Sequence, residues 1–210
     1  KKGIILLGRD AFTEIPPSLL LFAEKIGWPI FSDILSGGRE IPSSYVKHFD
    51  LLLKAFPSIT VDAVLHVGDR FVSKTLEKWL QRQKDLTYFH VSEKDSRYDP
   101  LSLITHSMCS LHTLFFDTIA PLIEKKEEDA WKVFWLKGSS SIEKKLDEIF
   151  QKEKGFFEPG ILYSLKEMEN FFFSNSMPIR DADLFLHPKL AFANRGASGI
   201  DGNIATAIGI

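Results

Sequence analysis

The chain has 210 residues, of which 44% are apolar and 26% charged, so it contains enough apolar sequence for a substantial core. Its 26 basic and 28 acidic residues give a formal net charge of −2, which argues against chain-wide attraction to nucleic acid or an anionic membrane. The longest apolar runs are far shorter than the roughly 20 residues that span a bilayer, so we predict no transmembrane segment. With the single Cys109 and no apolar signal region at the start, we expect a cytoplasmic protein without an intramolecular disulfide.

Both ends of the sequence are typical of a piece of a longer chain. The first residue is Lys1 rather than Met, and a strand-like segment follows directly. Residues 203–210 look like the first turns of a helix that continues further. We therefore expect additional sequence on both sides.

Short apolar runs alternate with helical patterns over the first 95 residues. Such alternation predicts an α/β fold, a doubly wound parallel sheet of Rossmann-like type, which we place at residues 1–125. The predicted strands cover residues 3–8, 28–33, 61–67 and 87–91, and the predicted helices cover residues 16–26, 42–56 and 73–80.

The composition changes after residue 123. Residues 124–154 contain eight acidic and eight basic side chains, a balance typical of a solvated helix, so we interpret 126–157 as a charged helical connector rather than a docking surface. The α/β pattern then restarts at 158–210, with a helix from Pro159, an apolar strand at 171–173 and a helix opened by Pro178. We predict a partial second α/β domain there.

A dinucleotide site is not supported by the first strand-to-helix turn. Residues 8–13 lack the Gly-x-Gly-x-x-Gly spacing, and their bulky side chains would keep the backbone away from a pyrophosphate. Asp33 lies where a ribose-binding acid would follow the second strand, but we interpret it as a cap for the turn at 36–39.

The sequence also contains no motif typical of a zinc site or of a serine hydrolase. The six histidines include no i,i+4 pair on one predicted helix, and one cysteine cannot form a thiolate cluster, so we expect no zinc site. Residues 139–141 are three serines without a Gly-x-Ser-x-Gly elbow, which argues against a serine hydrolase.

Two cations at predicted helix starts suggest anion binding. Lys74 falls in the first turn after the third strand, where free backbone N–H groups favour negative charge, although a solvated lysine is an equally good interpretation. Arg180 falls in the first turn opened by Pro178, after Asn175 or Ser176 as a possible cap. A cation there opposes the helix dipole unless an anion lies between them.

The run NRGASGIDG at 194–202 places three glycines at intervals of three around the single Arg195. Glycine at this density suits close approach to a ligand, or simply a sharp structural turn. This run, with Asn175, Ser176 and Arg180 before it, resembles the 2-succinyl-5-enolpyruvyl-6-hydroxy-3-cyclohexene-1-carboxylate synthases of menaquinone biosynthesis.

The resemblance is strong over 159–210, fair over 1–100 and faint between. It implies three domains in the complete protein: a pyrimidine-binding domain, a Rossmann-like central domain without a nucleotide, and a diphosphate-binding domain. Residues 1–125 then correspond to the central domain, and residues 158–210 to the truncated start of the diphosphate-binding domain.

The resemblance also implies site residues. Those on the family's substrate-binding positions are Asn175, Ser176, Arg180, Arg195 and Lys74. Ile200, with its neighbour Gly199, falls on the apolar prop that holds the cofactor bent. Thr75 stands where the family often has a second basic residue, so this chain departs from the family pattern there.

The implied reaction is that of a transferase using thiamine diphosphate with Mg or Mn. It decarboxylates 2-oxoglutarate and adds the succinyl-semialdehyde carbanion to isochorismate, in a homodimer or homotetramer. The metal ligands would follow Ile210, and the activating glutamate would precede Lys1. No catalytic or metal-binding residue is thus expected in this chain, which alone should be inactive.

Two alternatives remain open at this stage. One is another thiamine-diphosphate carboligase of the acetolactate-synthase type, which should bind a nucleotide or flavin in its central domain. The other is a non-catalytic anion-binding regulatory module whose pocket would be formed by Lys74, Arg70 and Arg39.

Overall fold

The computed structural model describes residues 1–37, 39, 43–95, 99–126, 130–153, 155–194 and 199–210. Its main unit is a five-stranded parallel sheet with the strand order β2-β1-β3-β4-β5. The strands are β1 (Gly3–Leu7), β2 (Ile30–Ser32), β3 (Ala63–Val67), β4 (Thr87–Ser92) and β5 (His106–Cys109). This architecture confirms the predicted α/β class and parallel sheet.

Helices cover both faces of the sheet. They are α1 (Pro17–Ile26), α2 (Phe49–Ala55), α3 (Lys74–Leu80), α4 (His112–Ile119), the 3-10 helix η1 (Ala120–Leu122) and α5 (Ala130–Lys152). Successive residues of β1 point to opposite faces: Ile4 and Leu6 pack with α2, α3 and α5, whereas Ile5 and Leu7 pack with α1 and α4. Fully buried strands explain the uninterrupted apolar runs in the sequence.

A second, smaller unit follows α5. It contains α6 (Glu158–Ser164), β6 (Asn170–Phe173), α7 (Met177–Phe185), β7 (Leu190–Ala193) and α8 (Asn203–Ile208), with β6 and β7 paired in parallel. A third apolar cluster, in which Ile34 and Val72 contact Phe173 and Ile179, joins this unit to the main sheet. Among the described residues, no helix is both long and apolar enough to cross a membrane.

The second predicted helix is wrong over its first half. Pro42 lies outside the described residues, and α2 begins only at Phe49. The segment before it is not helical: Tyr45 forms an isolated parallel bridge with Ile30, which exchanges main-chain hydrogen bonds of 2.7 and 2.9 Å with Ser44 and Val46. The edge strand β5 was not predicted at all, since its four residues are exposed and show no apolar alternation.

The charged segment contains one long helix, α5, but one face of its first half is buried rather than solvated. Trp131 and Trp135 are buried against the sheet, and Trp135 meets Phe31 edge-to-face at 5.0 Å. A Cβ on Gly138 would come within 2.8 Å of Leu52, so this glycine permits close packing of α5 on α2. This helix is therefore part of the main core, while the domain division at residue 125 stays a prediction.

Three buried or half-buried histidines make the stability of the fold pH-dependent. Burial and the neighbouring His90 lower the pKa of His66 to about 3, and burial lowers the pKa values of His48 and His187. In the unfolded chain, a histidine has a pKa near 6.5. The unfolded chain thus binds more protons between about pH 6.5 and 3, and the fold loses stability as the pH falls through that window.

We expect His66 alone to account for about 2 kcal/mol of lost unfolding free energy between pH 7 and pH 5. Urea unfolding at several pH values measures this loss, and His66→Gln should flatten the dependence. His106→Gln, a change on the exposed strand β5, serves as the control and should leave it unaltered. An unchanged slope in His66→Gln would contradict this assignment.

Candidate substrate and cofactor site

The carboxyl end of β6 leads directly into the first predicted site residues, the half-buried Asn175 and the exposed Ser176. Ser176 occupies the N-cap position of α7 with φ 72° and ψ −127°, a conformation that costs a non-glycine residue free energy. Asn175 and Ser176 were the two predicted caps, and the side chain of Ser176 makes no capping hydrogen bond. The residue is exposed at the start of the helix.

Arg180 lies in the first turn of α7 and is exposed. Within the part of the chain that the structure describes, it has no ion-pair partner. The neighbouring carboxylates point inward instead: Asp181 and Asp183 are 8% and 4% exposed, and Asp183 is paired with Arg39. A cation at this end of a helix opposes the helix dipole, so its presence favours an anionic ligand.

Lys74 follows a segment that packs with α7 in the apolar cluster between the two units. Val72, two residues before it, packs in the same cluster as Ile179, which directly precedes Arg180. The side chain of Lys74 is 68% exposed and its ammonium lies 2.7 Å from the carboxylate of Glu77. It is therefore partly neutralised but accessible.

The glycine-rich loop begins and ends in a polar network that the sequence did not reveal. Asn194 donates to Asn203 at 3.3 Å and to Thr206 at 3.2 Å, while Asn203 donates to Ser174 at 3.0 Å. These bonds tie the ends of β6 and β7 to the start of α8. An asparagine directly after β7 and another at the first position of α8 were the available signals.

The predicted cofactor residues lie beside this network. A Cβ added at Gly199 would meet no atom within 4 Å, and the side chain of Ile200 is 75% exposed. Both positions are accessible to a ligand. Arg195, with residues 196–198, lies outside the described residues.

A buried ion pair links the two units. Arg39, 5% exposed, pairs with Asp183 and also donates to the main-chain oxygen of Leu186 at 2.6 Å. The predicted anion pocket formed by Arg39, Arg70 and Lys74 is therefore wrong, because the Arg39 guanidinium is buried and committed to α7. Burial raises the pKa of Asp183, and the guanidinium opposes that rise.

Asp33 has a structural role in the turn after β2. Its carboxylate accepts hydrogen bonds from the main-chain N–H groups of Leu35 at 2.9 Å and Val72 at 2.6 Å. It therefore closes the turn after β2 and holds the chain that leads to Lys74. Both carboxylate oxygens are engaged in these contacts, which argues against a role in holding a ribose.

The carboxyl edge of the main sheet holds a cavity of about 470 Å³, where open α/β sheets commonly bind ligands. The adjacent turn, however, offers no phosphate cradle. The N–H groups of residues 8–12 all donate to main-chain oxygens, and Pro16 and Pro17 supply no N–H at the start of α1. Arg9, at the rim of the cavity, pairs with Asp69.

Comparison with known proteins identifies the family. The family described as the middle domain of thiamine pyrophosphate enzymes matches residues 1–170. The chain belongs to this family. Its match extends through α5 and α6, so it includes the charged helix that packs on the main core.

Curated relatives align along the whole of this thiamine pyrophosphate middle-domain chain. Proteins from Rubrobacter xylanophilus, Listeria monocytogenes and Bacillus cytotoxicus are 33%, 30% and 30% identical to it, and each is named 2-succinyl-5-enolpyruvyl-6-hydroxy-3-cyclohexene-1-carboxylate synthase. The alignments cover 100% of this chain and 39%, 39% and 38% of the respective relatives. They confirm the resemblance inferred from the sequence.

Proposed function

We propose that this chain is the middle part of a synthase that decarboxylates 2-oxoglutarate and adds the resulting four-carbon unit to isochorismate. The alignment of the whole chain with synthases of that name carries the proposal. The exposed Arg180, which has no ion-pair partner among the described residues, supports it because both substrates carry carboxylates.

In this proposal, the start of α7 forms one wall of the substrate site. Arg180 holds a carboxylate through charge-assisted hydrogen bonds, and Asn175 and Ser176 add polar contacts at the end of β6. Lys74 approaches from the main sheet as a point charge. Arg195 completes the set from the glycine-rich loop.

Thiamine diphosphate, when bound, supplies the chemistry that stabilises negative charge after carbon dioxide leaves. The exposed Ile200 and the unobstructed Gly199 fit an apolar contact with this cofactor. Among the described residues, no group of three or more His, Cys, Asp or Glu side chains is arranged to hold a metal. We propose that the Mg or Mn ligands and the activating glutamate belong to other parts of the protein.

The complete protein is proposed to be a cytoplasmic transferase that assembles as a homodimer or homotetramer. The main alternative, a carboligase of the acetolactate-synthase type, would place a nucleotide or flavin in the middle domain. The main-chain hydrogen bonding of residues 8–12 disfavours this alternative, because a diphosphate would have no free N–H groups in that turn.

The test is to compare the complete protein with the 210-residue chain alone. Each is supplied with 2-oxoglutarate, isochorismate, thiamine diphosphate and Mg, and carbon dioxide release and adduct formation are measured. We expect both products from the complete protein and neither from the chain alone. Turnover by the chain alone would overturn the placement of the missing residues. Failure of the complete protein to form the adduct would overturn the proposed function.

A further inference from the structure

The C-terminal end of α7 is held to the main sheet by a compact set of buried polar contacts. One guanidinium nitrogen of Arg39 donates to Leu186 O at 2.6 Å and to Asp183 O at 3.3 Å. The second terminal nitrogen of the guanidinium donates to the Asp183 carboxylate and to Ser32 O at 3.1 Å. The same carboxylate accepts the main-chain N–H of Ile34 at 3.0 Å.

These contacts differ in kind from the apolar packing beneath α7. Apolar contacts are non-directional, whereas four directed hydrogen bonds from Arg39 and Ile34 to Asp183 and Leu186 fix the rotation of the helix about its axis. Arg39 also places a positive charge on the last carbonyls of the helix, where the dipole favours it. A buried ion pair seldom adds net stability over apolar residues of similar size, so a geometric role accounts better for this one.

The other end of α7 carries the proposed substrate contacts. Arg180 and Asp183 are three residues apart, which places them about 60° apart around the axis and about 4.5 Å apart along it. Arg180 and Ser176 have no side-chain hydrogen bond or ion pair among the described residues. Among the described residues, the side-chain hydrogen bonds between α7 and the main unit lie at the opposite end of the helix.

We propose that the Arg39–Asp183 ion pair is a positioning pair, which orients α7 so that Arg180 meets the substrate carboxylate. This inference rests on the proposed function. Arg39 comes from the turn after β2 and Asp183 from α7. The pair therefore makes the geometry of the substrate site depend on how the second unit is positioned on the main unit.

The test is a double-mutant cycle in the complete protein, with kcat and KM measured for both substrates. Arg39→Lys keeps the charge but loses the forked geometry, and we expect it to lower kcat/KM about ten-fold, mainly through KM. Arg180→Ala should lower kcat/KM by ten-fold or more. Misorientation of α7 already removes the Arg180 contact. The kcat/KM of the double variant should therefore be no more than about two-fold below that of the less active single variant.

Two controls separate positioning from loss of stability. Leu19→Ala weakens the core on the other face of the sheet, and Lys47→Gln breaks the half-exposed pair between Lys47 and Glu143. Both should keep kcat/KM within two-fold of the original below their melting temperatures. If Arg39→Lys does not fold, Asp183→Asn takes its place in the cycle.

The outcomes are distinct. If the decreases in kcat/KM of the two single variants multiply in the double variant, the positioning role is overturned. The same holds if Leu19→Ala lowers kcat/KM as much as Arg39→Lys does. Either result leaves the proposed function intact. An original protein without turnover on 2-oxoglutarate would overturn the proposed function and this inference with it.

Discussion

Trp135→Ala is expected to lower the free energy of unfolding by about 3–5 kcal/mol, the usual range for removing a fully buried large aromatic side chain. Trp135 is 0% exposed and contacts the rings of Phe31, Trp131 and Phe134. The variant leaves a large cavity between α5 and the sheet. Urea unfolding followed by circular dichroism measures the loss.

Two further variants make this prediction specific. Trp135→Phe should cost much less, because it retains ring contacts and removes an indole N–H that is buried without a hydrogen-bond partner among the described residues. Ile149→Ala, on the exposed half of the same helix, should cost less than about 1 kcal/mol. A cost below about 1 kcal/mol for Trp135→Ala would show that α5 is a connector and not part of the core.

Arg180→Ala is expected to reduce kcat/KM of the complete protein between about ten-fold and more than a hundred-fold. A hydrogen bond to a charged, partly desolvated carboxylate contributes about 1.5–3 kcal/mol, which corresponds to this range. Arg180→Lys should restore only part of the activity, since an ammonium cannot present a planar fork. Steady-state kinetics with each substrate varied in turn measures the effect.

A stability measurement distinguishes a substrate contact from a structural one. Because Arg180 is exposed and its inward neighbours Asp181 and Asp183 are buried elsewhere, Arg180→Ala should change the melting temperature by no more than about 1–2 °C. Arg82→Ala, at another exposed arginine, is the matched control and should alter neither quantity. A lower melting temperature with unchanged kcat/KM would contradict the substrate role.

Local sequence patterns were sufficient to predict the parts of the fold that depend on local preference. Fully buried parallel strands produce apolar runs, and helix starts such as Ser73 carry their own capping group, which accepts from Leu76 N at 3.0 Å. The strand β5 has no such signal, because an exposed edge strand needs no apolar pattern. The segment before α2 bridges to β2 instead of forming a helix, and a helical pattern cannot reveal that pairing.

The candidate site likewise contains residues that a local sequence pattern reveals and residues that it does not. Ser176 and Arg180 were predicted because they share a short motif at a strand end, and the structure places them at the start of α7. Arg39 had no local signal for its role, since its partner Asp183 lies 144 residues away. The sequence of α5 suggested a solvated helix because its many balanced charges mask the two tryptophans, Trp131 and Trp135, that pack it against the core.

The most direct test of the proposed function is the choice between two keto acids by the complete protein. With thiamine diphosphate, Mg and isochorismate present, carbon dioxide release is measured for 2-oxoglutarate and for pyruvate, which lacks the second carboxylate. One charged contact to that carboxylate contributes at least about 1.5 kcal/mol, so we expect kcat/KM for 2-oxoglutarate to exceed that for pyruvate by at least about ten-fold. Equal or faster turnover of pyruvate would contradict the assignment and favour the acetolactate-synthase type of carboligase.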